Sequence, residues 1–220
     1  MQRMNDPAGG RAPLYVISRD GEPERLVAMW AEAERLGVTL HRIAATDGAP
    51  GDDADLIRLS DHRRAWARIA EGDAAHAVVL EDGAALDDRL GALLDADRLA
   101  REAPRRGIVN LDGGRPGEGE PRIVAPTSTP ARCGAYVIGR DAARALLAAP
   151  RRAEPLARTL ARRGEHGVEI RIAEPAPVVT ADVERPAAGW LTRLSELLRR
   201  SAPARAVSSV PPLRPAPIHD

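Results

Sequence analysis

The sequence predicts an α/β protein: one folded domain around a mostly parallel sheet, with helices on both faces. Three observations carry that expectation. Residues 14–44 read strand, helix, strand within about thirty residues, the unit that sets two parallel strands side by side. The run "HAVVL" at 76–80 is apolar throughout, as in a strand covered on both faces. Two strands run into carboxylates, at Asp47 and at Glu81 with Asp82. In open α/β sheets, ligands bind beyond the carboxyl ends of the strands.

Taken in order, residues 1–12 are small and polar and predict a disordered arm. "LYVIS" (14–18) is the first strand. Leu26, Met29, Trp30, Ala33 and Leu36 then recur at helical spacing, and Gly37 supplies the stop. "VTLHRIA" (38–44) alternates as a strand and enters "ATDG". After a polar loop, residues 60–72 predict a helix capped by Ser60 or Asp61, with Ala65, Trp66, Ile69 and Ala70 on one face. Beyond "HAVVL" the patterning predicts a helix from about Leu86 to Glu102 and a strand at 107–111. The glycine-rich stretch after it reads as a loop. A strand at 134–139, a helix ended by Pro150, helical spacing over 153–163 and a late strand at 168–173 complete the domain, bounded at 13–183. The remaining 184–220 form a Pro-rich tail around an amphipathic helix near 189–200. That helix suits docking on its own domain, or peripheral contact with a membrane surface.

Composition narrows the function classes. The 32 basic residues are all Arg, matched by 32 acids, so the formal charge is zero and nucleic acid is not an expected partner. Because the arginines are spread along the chain, a GC-rich genome explains them better than phosphate recognition does. Aromatics are 2% with no Phe, so Ala, Leu, Val and Ile must build the core. One cysteine, Cys133, reads as a buried inert thiol in a reducing compartment. No run approaches the ~18 apolar residues of a membrane span, and the first residues lack a secretory pattern. The expected location is cytoplasmic, extending to the inner face of a membrane if 189–200 attaches there. The histidines lack zinc-ligand spacing, and the glycine-rich loop is broken by Pro116 and Pro121, with no Gly-Lys-Ser/Thr.

The acids remain. Clustered carboxylates at a strand end repel one another unless a cation lies between them, and a hard divalent ion with a diphosphate is one solution. The plain alternative is that Asp82 caps the next segment. The order "YVIS…ER…RIAATDG…SDHRRAW…AVVLEDGAAL…GAYVIGRDAARALL…PAPVV" resembles glycosyltransferase family 25, over residues 14–179. This family includes bacterial lipooligosaccharide galactosyltransferases and procollagen galactosyltransferases. The resemblance implies a glycosyltransferase-A-like fold and transfer of a galactose-like hexose from a UDP-hexose to a glycan acceptor such as lipopolysaccharide. It implies Mn²⁺ or Mg²⁺ held by Glu81 and Asp82, which match the first two acids of the family's E-D-D. Asp47 and Gly48 match its A-x-D-G strand end, His62 and Trp66 its S-H-x-x-x-W, Arg25 an early Arg, and Tyr136 a later strand. Arg25, Asp47, Gly48, His62, Glu81, Asp82 and Tyr136 are thus expected around the donor, with Asp82 and Glu154 as catalytic carboxylates and Glu154 as the base.

The chain departs from that pattern in places. Gly83 stands where the third acid is expected, Asp61 replaces the Ser before the histidine, and Gly139 stands where Ser is common. Losing a hard ligand weakens such a metal site. A catalytically silent relative that binds a nucleotide sugar or a partner protein is therefore the alternative expectation.

Overall fold

Local chemistry sets the first unit. Leu14–Ser18 form β1, Pro23–Leu36 α1 and Leu40–Ala44 β2. Pro23 sits in the first turn of α1, where its missing N–H has no helical partner to lose. Gly37 ends the helix at φ 62°, a conformation that costs glycine little, and Val38 N–H returns to the Ala33 carbonyl at 3.0 Å. β1 and β2 pair in parallel, with Ser18 opposite Ala44. This computed structural model describes residues 10–49, 51–127, 133–150, 154 and 156–180; the predicted helix at 189–200 lies outside them.

The second helix starts earlier than its pattern predicts. α2 spans Ala54–Glu71, and its cap is Asp53, whose carboxylate accepts the N–H groups of Asp55 and Leu56. The stretch expected to be one helix over 86–102 is three elements: β4 (Ala84–Leu86), α3 (Arg89–Leu93) and α4 (Ala96–Glu102). Asp95 interrupts it by capping Arg98 N–H at 2.7 Å. Gly10 to Ala12, read from sequence as the end of an arm, are tied to this break: Arg11 bridges to Asp95, and Ala12 N–H reaches the Leu94 carbonyl at 2.9 Å.

The other elements are β3 (His76–Glu81), β5 (Gly107–Asn110), β6 (Arg122–Val124), β7 (Ala135–Gly139), α5 (Arg140–Ala148), α6 (Leu156–Ala161), β8 (Glu169–Glu174) and β9 (Val178–Thr180). β6 and β9 escape sequence patterning because each is three residues long and finds its partner far away, on β8 and β4 respectively. The main sheet runs β2-β1-β3-β7-β5-β8-β6. β1, β2, β3, β5 and β8 share one direction, while β7 and β6 oppose it.

Alternation along the strands divides the core in two. Leu14, Val16, Leu80 and Val137 pack with Met29 of α1 and with Leu90, Leu93 and Leu99 of α3 and α4. Ile17, Val79, Tyr136 and Ile138 pack with Trp66 and Ile69 of α2, Leu146 of α5 and Leu156 of α6. Gly139 has a packing reason: a Cβ there would lie 2.0 Å from the Arg105 carbonyl oxygen. Gly139→Ala is expected to destabilise the domain by about 1–3 kcal/mol, as overpacking does. The urea-unfolding midpoint checks it, and an unchanged midpoint would contradict the close approach.

Candidate functional site

The carboxyl ends of β1, β2, β3 and β5 lie on one edge, and antiparallel β7 begins there. Glu81 is the last residue of β3, and its N–H bonds the Gly134 carbonyl at 2.9 Å. Asp82 N–H bonds the Ile17 carbonyl at 3.1 Å. The acid pair is thereby fixed between β1 and β7. Neighbouring residues of a strand leave by opposite faces, and these two carboxylates do.

Glu81 turns to the α2 face. Its Oε1 accepts a short hydrogen bond from Arg58 Nε and lies 3.1 Å from His62 Nε2. His62 Nδ1 is 2.8 Å from the Tyr136 hydroxyl, which also accepts Trp66 Nε1–H at 2.8 Å. One proton arrangement satisfies every atom: Trp66 gives to Tyr136, Tyr136 gives to His62 Nδ1, and His62 Nε2–H gives to Glu81. Burial pushes the His62 pKa down, more than Glu81 beside it pushes it up, which keeps the ring neutral. Burial raises the Glu81 pKa, but the His62 hydrogen bond and the Arg58 charge outweigh it, so the net shift is downward. Glu81 is held as an anion. Trp66, His62 and Tyr136 are all fully buried, which joins the site to the second core layer.

Asp82 turns to the α1 face. Its Oδ2 accepts Arg19 N–H at 3.3 Å, and Arg25 Nη1 stands 3.9 Å from Oδ1. Burial raises its pKa, and Arg19 and Arg25 offset this only in part. Arg25 also pairs with Glu22 at 2.5 Å. Asp47 and Gly48 lie on the loop after β2, where Asp47 is exposed and a Cβ on Gly48 would meet Ile57 Cδ1 at 2.7 Å. Buried Asp61 anchors that loop to α2, accepting Thr46 N–H at 3.1 Å and Thr46 Oγ1–H at 2.7 Å. Asp61 thus positions the segment that carries Asp47 and Gly48.

Glu154 is not brought to this edge. It is buried on the other side of α2, 3.4 Å from Arg162 Nε, in a cleft of about 560 Å³ lined by Leu59, Ser60, Arg63, Leu146 and Thr159. Arg58, His62 and Trp66 face the strand ends, whereas Leu59, Ser60 and Arg63 face the cleft, so the helix stands between Glu154 and Asp82. The expected base and the expected acid pair do not share a site.

The expected Mn²⁺ or Mg²⁺ does not fit this donor set. Glu81 and Asp82 diverge to opposite faces, and Glu81 is already paired with the Arg58 guanidinium through its Nε edge. The position two residues on, which would return to Glu81's side, is Gly83, with open space where a side chain would go. Among the described residues no group of three or more His, Cys, Asp or Glu is arranged to hold a metal.

Sequence reasoning missed Arg58, which the late helix start left in a loop. Its signal was spacing: Arg58, His62 and Trp66 recur at i, i+4 and i+8, one stripe of a helix capped at Asp53. Cys133 is buried, as expected, with burial, Asp112 and Glu81 pushing its pKa up to about 11 against Arg58.

A solved structure shares this architecture. A glycosyltransferase involved in glycosylation of the major capsid of PBCV-1 superposes with a TM-score of 0.51 at 9% identity, covering 84% of this chain and 99% of that one. The fold is of the glycosyltransferase-A type. A Drosophila β-1,4-galactosyltransferase 7 variant, solved with manganese, UDP-Gal and xylobiose, gives 0.45 at 12% identity, over 83% and 80% of the two chains. A Bacillus anthracis glucose-1-phosphate thymidylyltransferase with sucrose gives 0.46 at 13% identity, over 84% and 75%. No protein-family model matches the sequence, and no curated protein matches it. No helix among the described residues is long and apolar enough to cross a membrane.

Proposed function

We propose that the chain is a nucleotide-sugar-dependent glycosyltransferase of the family 25 kind, moving a hexose from a UDP-hexose to a glycan acceptor such as lipopolysaccharide. The observation that carries this reading is Asp82. It is a partly buried carboxylate with a raised pKa at the carboxyl edge of a glycosyltransferase-A-type sheet, beside Arg25. In the proposed reaction, an acceptor hydroxyl oxygen bonds the anomeric carbon. The bond from that carbon to the diphosphate oxygen breaks, and its electron pair leaves on the diphosphate. The hydroxyl proton passes to Asp82, the carboxylate on this edge best suited to accept it. Asp47, Gly48 and Arg25 remain the proposed surround of the donor. A cytoplasmic location, with 189–200 at the inner face of the membrane, belongs to the same reading.

The full chain incubated with UDP-galactose, UDP-glucose and UDP-N-acetylglucosamine is expected to release UDP, faster when a truncated lipopolysaccharide acceptor is added. Absence of release from every donor would remove the transferase reading. A second reading is favoured by Gly83 and by the distance of Glu154 from the acid pair: a silent relative that binds a nucleotide sugar or a partner protein. Tight nucleotide-sugar binding without turnover across the same panel would favour it.

A further inference from the structure

The edge that was expected to hold a metal ion carries a cation of its own. Arg58 Nε is committed to Glu81, while Nη1 and Nη2 have no hydrogen-bond partner among the described residues, on a side chain 39% exposed. Arg58 holds the end of β3 through Glu81, and its charge is felt at Asp112, just after β5, and at Cys133, just before β7. That is the point where β7 interrupts the parallel order of the sheet.

We propose that Arg58 binds the diphosphate of the nucleotide-sugar donor in place of a divalent ion. This rests on the transferase reading above and assigns its donor site. A guanidinium is planar, always charged, and presents parallel N–H pairs that match phosphate oxygens. Fixing the Nε edge holds the guanidinium in one orientation on a side chain 39% exposed, so little freedom is lost when an anion docks on the Nη pair. Glu81 is then a positioning residue for Arg58. Its own orientation is set by His62, which is set by Tyr136, which is set by Trp66. This assignment explains why a buried chain of hydrogen bonds, all donating in one direction, terminates on a carboxylate at a ligand edge. It also explains why Gly83 is tolerated: with the charge supplied by Arg58, a third acid has no ion to hold.

The test is calorimetric titration of the full chain with UDP, GDP and CDP, first in excess EDTA and then with Mn²⁺. One nucleotide is expected to bind with the same affinity in both conditions. Arg58→Gln is expected to weaken it by at least about tenfold, the loss of one charge-assisted pair. Arg58→Lys is expected to lose nearly as much, since lysine has neither the fork nor the Nε–H for Glu81. Glu81→Gln separates positioning from metal ligation: its amide oxygen still accepts from Arg58 and His62, so most of the affinity should survive. Arg35→Gln, on α1 and paired with Glu32, controls for long-range charge and should change nothing. Each variant is compared with the parent by circular dichroism, and Arg58→Lys serves if Arg58→Gln loses structure. Binding that needs Mn²⁺, fails with Glu81→Gln and survives Arg58→Gln overturns the assignment and leaves the donor reading intact. No binding of any nucleotide in either condition overturns both.

Discussion

Asp82→Asn is expected to lower kcat/KM for hexose transfer by about 10²–10⁴ while leaving nucleotide affinity nearly unchanged, the span that a positioned general base contributes. The reason is environmental. Glu81 and Asp82 are adjacent and chemically alike, but the structure pushes their pKa values apart. Glu81 is held down by His62 and Arg58, whereas burial pushes Asp82 up. A carboxylate with a depressed pKa is a poor proton acceptor, and one with a raised pKa is a better one. The pH profile carries the sign. Asp82 must be deprotonated to take the acceptor's proton, so transfer falls as pH drops through its raised pKa. The acidic limb of kcat/KM therefore lies above the ordinary aspartate value, and it disappears in Asp82→Asn. An Asp82→Asn enzyme with the parent's rate would refute the assignment. A variant that loses nucleotide affinity instead would make Asp82 part of the donor pocket rather than the base.

How much of this is legible in the sequence depends on which physical signal each part sends. β1, α1, β2, β3 and β7 show as periodicity and apolar runs, because their burial is dictated by neighbours within the same unit or by coverage on both faces. β6 and β9 send no such signal; three residues cannot show a period, and their pairing is decided by β8 and β4. The helix expected over 86–102 has continuous helical propensity, and Asp95 breaks it only because its side chain caps Arg98 and its backbone meets Arg11. At the site, residue types were readable and directions were not. His62, Glu81, Asp82, Arg25 and Tyr136 are expected around the donor from the resemblance, which carries no direction for any of them. Whether Glu81 and Asp82 meet depends on the pleat at the end of β3, and Glu154 depends on which side of α2 its segment packs. Arg58 is legible only once α2 is started at its Asp53 cap. Moving the start of α2 from Ser60 to Ala54 brings it into the His62–Trp66 stripe.

Deleting a single oxygen from the buried chain is expected to cost as much as truncating a core side chain. In Tyr136→Phe the ring still fills its place between β3 and β5, since Val79 and Asn110 remain its strand partners. The hydroxyl, however, satisfies two other groups, taking Trp66 Nε1–H and giving to His62 Nδ1, each at 2.8 Å. Both are left without partners in a fully buried place. An orphaned buried polar group costs about 1–3 kcal/mol, so the expected loss for the two is about 2–6 kcal/mol in urea unfolding. The hydrophobic gain from the missing oxygen is small beside that. The functional consequence follows the direction of the chain. With no donor at Nδ1, that nitrogen is a buried acceptor without a partner, and Nε2–H to Glu81 is the remaining hydrogen bond that orients the His62 ring. Glu81 is then held by a ring that is itself less firmly oriented, and the Arg58 edge that Glu81 fixes is loosened with it. A stability loss under about 0.5 kcal/mol would mean that the Trp66 and His62 groups find other partners, and the chain would no longer account for the setting of Glu81.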